Sequence, residues 1–312
     1  MGQRELPPPP HDHPRGDEGL SGAGTPPGIA ALERAAAEHW QAADTAQLGS
    51  WLLRADGGFT GRANSALPLG DPGLPLAEAV GEVEAWYRAR GLPPMIVIPG
   101  PLGAAAPDGG LAGDPLDTLL AARGWRVRPA PAPVVVVMAA DAGQVGGTGR
   151  SAGGQRGPGA SRPARAVTFA ARPDEAWLAR YHYRGAELPA RAVRLLLSAP
   201  WQAFASLAVD GETAAVGRVS VAAGWAGITA VDVDPRYRRR GLGTMMTRAL
   251  ATEAARRGER RIFLQVEEAN LAARALYARC GFAEVHRYHY RVAPGWELGA
   301  GCGRSRRRSS DL

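Results

Sequence analysis

Apolar positions follow helical and strand spacings in turn along most of the chain. Within residues 29–142, amphipathic stretches with apolar side chains every three to four residues alternate with short apolar runs typical of buried strands. The predicted helices are residues 29–39, 76–90 and 116–123, and the predicted strands are residues 51–54, 95–98 and 134–138. Helices and strands therefore alternate through this first segment.

A second segment, residues 166–296, continues the alternation and adds strands joined by tight turns. Its predicted helices are residues 174–181, 189–197, 244–257 and 271–279, and its predicted strands are residues 167–170, 202–209, 214–221, 227–233 and 262–266. Turns at Asp210-Gly211 and Ala223-Gly224 predict antiparallel hairpins, whereas the later helical crossovers predict parallel pairing. The fold class is therefore α/β (α+β), with a mixed, mostly antiparallel sheet flanked by helices.

Two helix endings of the second segment have counterparts in the first. Gly91 and Gly258 each end a predicted helix, and Gly124-Trp125 corresponds to Gly281-Phe282. A glycine that stops a helix, followed by an aromatic residue that returns to the core, explains the second pair physically. We interpret the two segments as a diverged tandem repeat.

Three stretches without this patterning set the predicted boundaries. Residues 1–28 contain four consecutive prolines and little apolar content, so they are predicted to be disordered. Residues 143–165, rich in Gly, Ser and Arg, are interpreted as a linker. Residues 297–312 form a basic tail that is also expected to be disordered.

The net charge of +7 has a compositional explanation. The chain contains no lysine, so all 37 basic residues are arginine, and they accompany 41 glycines and 26 prolines. We interpret this as coding bias rather than as a basic surface, and expect no specific nucleic-acid partner.

Cysteine content and hydropathy argue against a disulfide-rich, metal-binding or membrane protein. Only Cys280 and Cys302 are present, which predicts neither a disulfide framework nor a metal site. No stretch approaches the roughly 20 apolar residues that span a bilayer, and the first residues lack a signal-peptide core. We therefore expect a cytoplasmic protein without a membrane partner.

The most informative pattern is a β-branched strand that enters an Arg-x-x-Gly-x-Gly turn with a helix directly behind it. Unpaired N–H groups and the positive end of the helix dipole converge at such a junction, which suits an anion. Glycines let the backbone approach a phosphate, and arginines supply cationic donors. The alternative is that the glycines only shape a tight turn. The residues concerned are Arg238, Arg239, Arg240, Gly241, Leu242, Gly243 and Thr244.

A second pattern follows at Asn270-Leu-Ala-Ala-Arg-Ala-Leu-Tyr277-Ala-Arg-Cys-Gly-Phe282. Together the two stretches resemble the Arg/Gln-x-x-Gly-x-Gly/Ala and Asn-x-x-Ala-x-x-Leu-Tyr-x-x-x-Gly-Phe motifs of the GNAT N-acetyltransferase superfamily. The resemblance covers about residues 166–292 and implies a sheet splayed between its fourth and fifth strands to admit acetyl-CoA. It further implies that residues 238–244 hold the pyrophosphate.

The resemblance also implies roles for single residues. The backbone of Val231 and Val233 would bind the pantetheine arm, Asn270 would contact that arm, and Tyr277 would donate a proton to the departing thiolate. Tyr277 is equally explained as an aromatic packed on its helix. Asn270 is equally explained as a helix N-cap.

The sequence motifs do not identify the general base. Some relatives use a Glu where this chain has Gln265, which accepts no proton. Among the nearby carboxylates Asp232, Glu267 and Glu268 we favour Glu267, although each is more often a surface charge. Backbone N–H groups near Val233 are expected to polarise the thioester carbonyl.

The predicted last strand and the first segment offer candidates for the acceptor side. His286, Tyr288, His289 and Tyr290 alternate along that strand, so one face either lines an acceptor pocket or is simply half-buried. Residues 69–75 of the first segment lack the Arg-x-x-Gly-x-Gly pattern and contain prolines that remove donors.

Residues 29–142 therefore resemble a degenerate GNAT lobe, as in tandem actinobacterial acetyltransferases such as mycothiol synthase. Residues 61–68 are similar to the Arg-Ala-Asn-Ser stretch of proteins labelled N-acetylglutamate synthase. Arg62 and Asn64 either reach the acceptor or bond locally.

The sequence thus predicts an acetyl-CoA-dependent N-acetyltransferase, with its catalytic domain at residues 166–296. The acceptor would be a primary amine of a small molecule, amino acid or peptide, attacking directly in a ternary complex, and no metal is expected. The alternative is a non-catalytic, CoA-binding regulatory protein with the same fold.

Overall fold

A computed structural model describes residues 28–129, 134–147, 166–181, 188–297 and 306–307. The predicted disorder of residues 1–28 lies outside the described residues except for Gly28, which precedes the first helix. Residues 148–165 of the predicted linker and most of the predicted basic tail also lie outside them.

The described part of the chain alternates helices and strands, as the hydrophobic pattern predicts. The helices are α1 Ile29–Glu38, α2 Leu76–Arg88, α3 Pro115–Ala122, α4 Ala142–Gly146, α5 Glu175–Arg180, α6 Ala190–Leu196, α7 Leu242–Arg256 and α8 Leu271–Arg279, with single 3₁₀ turns at Gly61–Ala63 and Pro235–Tyr237. The strands are β1 Asp44–Leu48, β2 Trp51–Ala55, β3 Met95–Gly100, β4 Arg126–Val127, β5 Val134–Asp141, β6 Val167–Ala170, β7 Trp201–Val209, β8 Glu212–Ala222, β9 Trp225–Val233, β10 Arg261–Glu267, β11 Ala283–Val292, β12 Trp296–Glu297 and β13 Arg306–Arg307.

One large sheet organises these elements, in the order β3-β11-β5-β10-β9-β8-β7-β6, with β4 added beside β11. Strands β6 to β9 are consecutive and antiparallel. Helix α7 then crosses over, so that β9 and β10 are parallel, as expected for a helical crossover. The predicted mixed, mostly antiparallel sheet is therefore confirmed.

Strands from the two predicted segments interleave at one end of this sheet. Strand β11 lies between β3 and β5, and β5 lies between β11 and β10, all in antiparallel pairs. Each segment thus places its last long strand beside a strand of the other. The sheet therefore contains strands from both sides of the predicted boundary near residue 142.

The four matched helix endings have the same geometry. Gly91, Gly124, Gly258 and Gly281 all have positive φ, between 63° and 99°. In each case the N–H of the following residue bonds a carbonyl five positions back, as in Phe282 to Tyr277 at 3.1 Å and Trp125 to Leu120 at 2.9 Å. This is the Schellman pattern, for which glycine is favoured because the conformation is left-handed.

Several elements were absent from the sequence-based prediction. Strand β1 and the two-residue strand β4 lack a long apolar run, and α4 begins where the linker was predicted. Asp141 caps α4 by accepting from the N–H of Gln144 at 3.0 Å, so residues 143–147 belong to the folded part. Within the predicted disordered tail, Arg306–Arg307 pair with Trp296–Glu297.

Helices cover both faces of the sheet, which are called the α7 face and the α1 face. The α7 face carries α4, α7 and α8, packed on inward residues such as Ile228, Leu264 and Val266. The α1 face carries α1, α5 and α6, packed on clusters that include Trp40, Trp177 and Val216. Across the described ranges, every helix falls short of the length and apolar character needed to cross a bilayer.

Candidate active site

A cleft opens where β9 and β10 separate. The two strands pair only from Ala226–Ile262 to Ile228–Leu264, although β9 continues to Val233 and β10 to Glu267. Beyond Ile228, the edge of β9 that faces β10 therefore has no strand partner on that side. A cavity of about 760 Å³ occupies the gap, and the splay implied by the family resemblance is present.

A β-bulge in β9 lies at the edge of this cavity. The pairing with β8 shifts between Val216–Asp232 and Arg218–Thr229, so two residues of β9, Ala230 and Val231, lie opposite one residue of β8. Ala230 has φ +56°, an uncommon conformation for a residue with a side chain. Because a bulge takes backbone groups out of the ladder, it provides N–H and C=O groups for a bound ligand.

The turn before α7 has the geometry of an anion site. Arg239 and Gly241 have φ values of 59° and 81°, and Gly241 is the residue directly before the helix. The first α-helical bond runs from the N–H of Met245 to the carbonyl of Gly241 at 3.1 Å, so the N–H groups of residues 242–244 point out of the helix end. The three arginines at 238–240 are exposed around it.

The two glycines of this turn serve different purposes. A Cβ on Gly241 would meet nothing within 4 Å, so its glycine is required by the positive φ alone. A Cβ on Gly243 would lie 2.7 Å from Leu276 Cδ1, so that glycine lets α7 and α8 pack closely. Leu242 is 2% exposed and belongs to the core, which leaves only its backbone for a ligand.

A charged network holds the end of β9. The carboxylate of Asp234 accepts from Arg180 Nη1 at 2.8 Å and from Arg236 Nη2 at 3.0 Å. Hydrogen bonding by the Arg236 side chain and N–H, together with its charge, lowers the pKa of Asp234 to about 2. Arg180 belongs to α5, so the α1 face of the protein fixes the strand end that leads into the anion site.

Helix α8 contributes Tyr277 and Asn270 to the cavity from the α7 face. Burial, with a smaller contribution from Cys280, raises the pKa of the Tyr277 phenol to about 12, so the hydroxyl keeps its proton. Its ring contacts Phe282 edge-to-face at 6.0 Å. Asn270 Oδ1 accepts from the N–H of Ala273 at 3.0 Å, so Asn270 is an N-cap as well as a lining residue.

The opposite side of the cavity carries the candidate bases. Leu264 and Val266 point to the α7 face, so Gln265 and Glu267 point to the α1 face by strand alternation. Val231 and Val233 also pack on the α7 face, which turns Asp232 to the α1 face. Gln265 Oε1 accepts from Arg62 Nη1 at 3.0 Å, so Arg62 reaches the cavity.

Aromatic residues of β11 form a wall of the cavity. Tyr288 and Tyr290 are 3% and 4% exposed, line the cavity, and contact each other edge-to-face at 5.5 Å. Burial raises the pKa of both phenols. The two histidines of this strand have other partners, since His286 bonds Glu33 at 2.7 Å and His289 bonds Asp117 at 2.9 Å. Of the four candidates on this strand, Tyr288 and Tyr290 line the cavity.

Arg62 and Asn64, the two first-segment candidates for the acceptor side, have different positions in the structure. Arg62 lines the cavity, whereas Asn64 bonds the N–H groups of Asp56 and Gly58 at 2.7 and 2.8 Å and has a local structural role. Arg128 also lines the cavity and was missed, because it follows a two-residue strand and belongs to no motif. Arg218 was missed as well, although an arginine between inward-facing Val216 and Ser220 is a detectable break in the strand pattern.

The predicted residues form a continuous path. Those that line the cavity are Val231, Arg238, Glu267, Asn270 and Tyr277. Those that extend the path outside it, along the turn and the start of α7, are Val233, Arg239, Arg240, Gly241, Leu242, Gly243 and Thr244.

Three comparisons with known proteins agree with this architecture. The family model described as "Probable histone acetyltransferase Rv0428c C-terminal" matches residues 27–291. The "Uncharacterized N-acetyltransferase YobR" of Bacillus subtilis is 28% identical over 268 residues, covering 85% of this chain and 98% of that protein. The "Probable histone acetyltransferase Rv0428c" of Mycobacterium tuberculosis is 28% identical over 272 residues, covering 86% of this chain and 76% of that protein.

A solved structure shows the same fold. The GCN5-related N-acetyltransferase from Kribbella flavida superposes with a TM-score of 0.56 at 16% sequence identity. The match covers 86% of this chain and 96% of that one, so it extends over both segments.

Proposed function

The chain belongs to the family of the Rv0428c C-terminal region, within the GNAT superfamily of N-acetyltransferases, and from that premise we propose that it transfers the acetyl group of acetyl-CoA to a primary amine. The enzyme is an acyltransferase, and the predicted GNAT resemblance is confirmed. The matches do not single out mycothiol synthase. Co-substrate, acceptor and mechanism are our proposal.

One observation carries it: the cleft between β9 and β10 has the N-terminus of α7 with its exposed arginines at one end, and a tyrosine and two carboxylates on its opposite faces. Tyr277 enters from the α7 face, while Asp232 and Glu267 point to the α1 face. A thioester lying through the cleft would present its sulfur to one face and its carbonyl carbon to an amine on the other.

The described residues fit acetyl-CoA along its length. Residues 238–244 offer outward N–H groups, a helix dipole and guanidinium groups for the diphosphate. The unpaired edge of β9 around Val231 and Val233 supplies backbone partners for the amide-rich pantetheine arm. The bulge at Ala230 and Val231 puts backbone donors near the reacting carbonyl, where charge develops.

The chemistry is a direct displacement. The amine nitrogen attacks the thioester carbonyl carbon, a C–N bond forms, and the C–S bond breaks with its electron pair going to sulfur. One proton leaves the amine for Glu267, the favoured base, or for Asp232 on the same face. The products are the N-acetylated amine and the CoA thiolate; the base releases its proton to solvent, and the thiolate takes one up from solvent to become the thiol.

Tyr277 acts in this scheme as a hydrogen-bond donor. Its pKa of about 12 exceeds the roughly 8.5 of an ordinary thiol, so complete proton transfer to the thiolate would be uphill. A hydrogen bond from the phenol still stabilises the developing negative charge. This refines the role that the resemblance implies for Tyr277.

We also propose that residues 29–142 descend from a second GNAT lobe that no longer binds the co-substrate. Two features support a repeat. Strand β11 of the second segment lies beside β3 of the first, while β5 of the first lies beside β10 of the second, and the helix endings match. The first copy has kept a role in the site, because it supplies Arg62 and Arg128 to the cavity.

The test is release of CoA thiol from acetyl-CoA by the full-length protein, across a panel of amines and a no-amine blank. Amine-dependent release with formation of the N-acetyl product supports the proposal. Tight acetyl-CoA binding without release for any amine would favour the non-catalytic alternative. Absence of acetyl-CoA binding would contradict both.

A further inference from the structure

Arginine side chains from the first segment form the acceptor end of the cavity. Arg62 stacks 4.7 Å above the Trp40 ring, and Arg128 lies 5.7 Å from the ring centre of Tyr290. A planar guanidinium that lies over an aromatic ring presents its five N–H groups along its edge, in a geometry that matches a planar anion such as a carboxylate. Both arginines line the cavity on the α1 face, away from the diphosphate end.

A third guanidinium, that of Arg218, lies one layer deeper. Arg218 is fully buried and donates to Leu196 O at 2.7 Å, Ser220 Oγ at 3.1 Å, Thr229 Oγ1 at 3.2 Å and His39 O at 3.3 Å. All four acceptors are neutral. Burial and then the nearby charge of Arg62 lower its pKa to about 9.

A buried cation with neutral partners favours an anion nearby. Thr229, which accepts from Arg218, is itself a lining residue, so an anion in the cavity would face this charge across one hydroxyl group. Arg218 also lies 5.6 Å from the Trp40 ring on which Arg62 stacks. The two positive charges are therefore close, and a negative group near Arg62 would offset both.

The charges of the cavity wall also favour a bound anion. Among the residues that the structure describes, its lining has four arginines, Arg62, Arg128, Arg180 and Arg238, and two carboxylates, Asp232 and Glu267. Arg180 pairs with Asp234, and Arg238 lies at the diphosphate end, so Arg62 and Arg128 are the arginines of the described lining that lie at the acceptor end. An amine arriving as a simple cation would be repelled there, whereas one that also carries an anion would be attracted.

On the basis of the acetyltransferase function above, we propose that the acceptor is an amine that also bears a carboxylate, an amino carboxylic acid. Arg62 and Arg128 bind the carboxylate, and the hydroxyl group of Tyr290, which accepts from the Tyr288 hydroxyl, is a further donor at the same wall. The amino group then faces the cleft and the carboxylates of β9 and β10.

Matched acceptor sets test this directly. Each set contains an amino acid, its carboxamide and the corresponding decarboxylated amine, and kcat/KM is measured from thiol release with saturating acetyl-CoA. We expect the amino acid to exceed the other two by about 100-fold or more, since two charge-assisted contacts are at stake. Arg62→Gln and Arg128→Gln should each lower kcat/KM for the amino acid about 10- to 100-fold, mainly through KM, and change the carboxamide value little.

Arg90→Gln is the matched control. Arg90 also stacks on a tryptophan and pairs with a carboxylate, but it lies outside the cavity lining. Acetyl-CoA affinity, measured by calorimetry for every variant, reports whether the fold and the co-substrate site are intact. If Arg62→Gln fails to fold, Arg128→Gln carries the test.

The outcomes separate this proposal from the one it rests on. Turnover with equal preference for amino acid and carboxamide, or a preference for peptides without a nearby carboxylate, would overturn the carboxylate site while leaving the acetyltransferase function standing. A preference for the amino acid over its carboxamide that remains unchanged in both Arg62→Gln and Arg128→Gln would also overturn the carboxylate site. Failure of every amine to release thiol would overturn the acetyltransferase function, and this inference with it.

Discussion

Arg62 and Gln265 are 203 residues apart in sequence, yet the guanidinium donates to the amide oxygen at 3.0 Å across the floor of the cleft. Position 265 is where some relatives of this superfamily carry a glutamate. Here the position is neutral and bonded to a cation, so it accepts no proton from the acceptor. In the proposed mechanism the base is a neighbouring carboxylate on the same face, and Glu267 and Asp232 are the carboxylates of the described residues that line the cavity.

Replacing Glu267 tests the choice of base. Glu267→Gln keeps the size and hydrogen-bonding capacity of the side chain but removes proton acceptance, so kcat at neutral pH should fall by about 10²- to 10⁴-fold. Glu268→Gln is the matched control, because its carboxylate lies next in sequence and pairs with Arg287 at 3.9 Å. The pH dependence of kcat for both variants and for Asp232→Asn assigns the role. A greater loss in Asp232→Asn than in Glu267→Gln would move the base to Asp232.

Replacing Tyr277 tests the hydrogen bond to the leaving sulfur. Tyr277→Phe keeps the ring that contacts Phe282 and should lower kcat about 10- to 100-fold, with acetyl-CoA affinity within about twofold of wild type. Because the phenol pKa is raised to about 12, the hydroxyl stays protonated and should add no ionisation to the rate profile below about pH 10. Tyr237→Phe, on the exposed turn, is the control. Unchanged kcat in Tyr277→Phe would reduce Tyr277 to a packing residue.

The elements of the co-substrate site follow from local sequence. Gly241 lies in a turn with φ +81°, and Asn270 caps α8, both features that neighbouring residues determine. The parallel crossover from β9 to β10 follows from an intervening helix. These parts of the site could be predicted because each depends on a few consecutive residues.

The acceptor side depends on tertiary structure and was harder to foresee. Arg62 and Arg128 reach the cavity because β5 and β11 exchange places in the sheet, which brings the first segment against the cleft. Strand order of this kind depends on packing between distant residues, for which a single sequence carries no periodic signal. Gly243, expected to serve a phosphate, is also a position where a Cβ would lie 2.7 Å from Leu276 Cδ1, a tertiary contact that the local sequence does not indicate.

Asp117 is expected to make a pH-dependent contribution to stability. It is 2% exposed and accepts from His289 Nε2, from Arg291 Nε at 2.7 Å and from the N–H of Leu111 at 2.6 Å. Burial alone would raise its pKa, but these hydrogen bonds outweigh burial and hold the pKa well below its usual range. A depressed folded-state pKa stabilises the fold above the unfolded value near 3.9, and the stabilisation is lost as the pH falls below it.

Asp117→Asn should therefore lower the free energy of unfolding by about 3–5 kcal/mol at pH 7, because it breaks a buried charged cluster. The difference from wild type should shrink by about 1.4 kcal/mol for each pH unit below 4. Urea unfolding at pH 7 and pH 3 measures both values. Asp71→Asn, whose exposed carboxylate bonds only the nearby Gly73 N–H, should change little. A difference that does not vary with pH would contradict the assigned ionisation.

The most direct test of the account is calorimetric titration of the full-length protein with acetyl-CoA and with acetyl-pantetheine, which lacks the nucleotide and its diphosphate. If residues 238–244 hold the diphosphate, acetyl-CoA should bind at least about 100-fold more tightly, and Arg238→Gln with Arg240→Gln should remove much of that difference. Arg256→Gln, at the far end of the same helix, should leave it unchanged. Equal affinity for the two ligands, or no heat with either, would contradict the account.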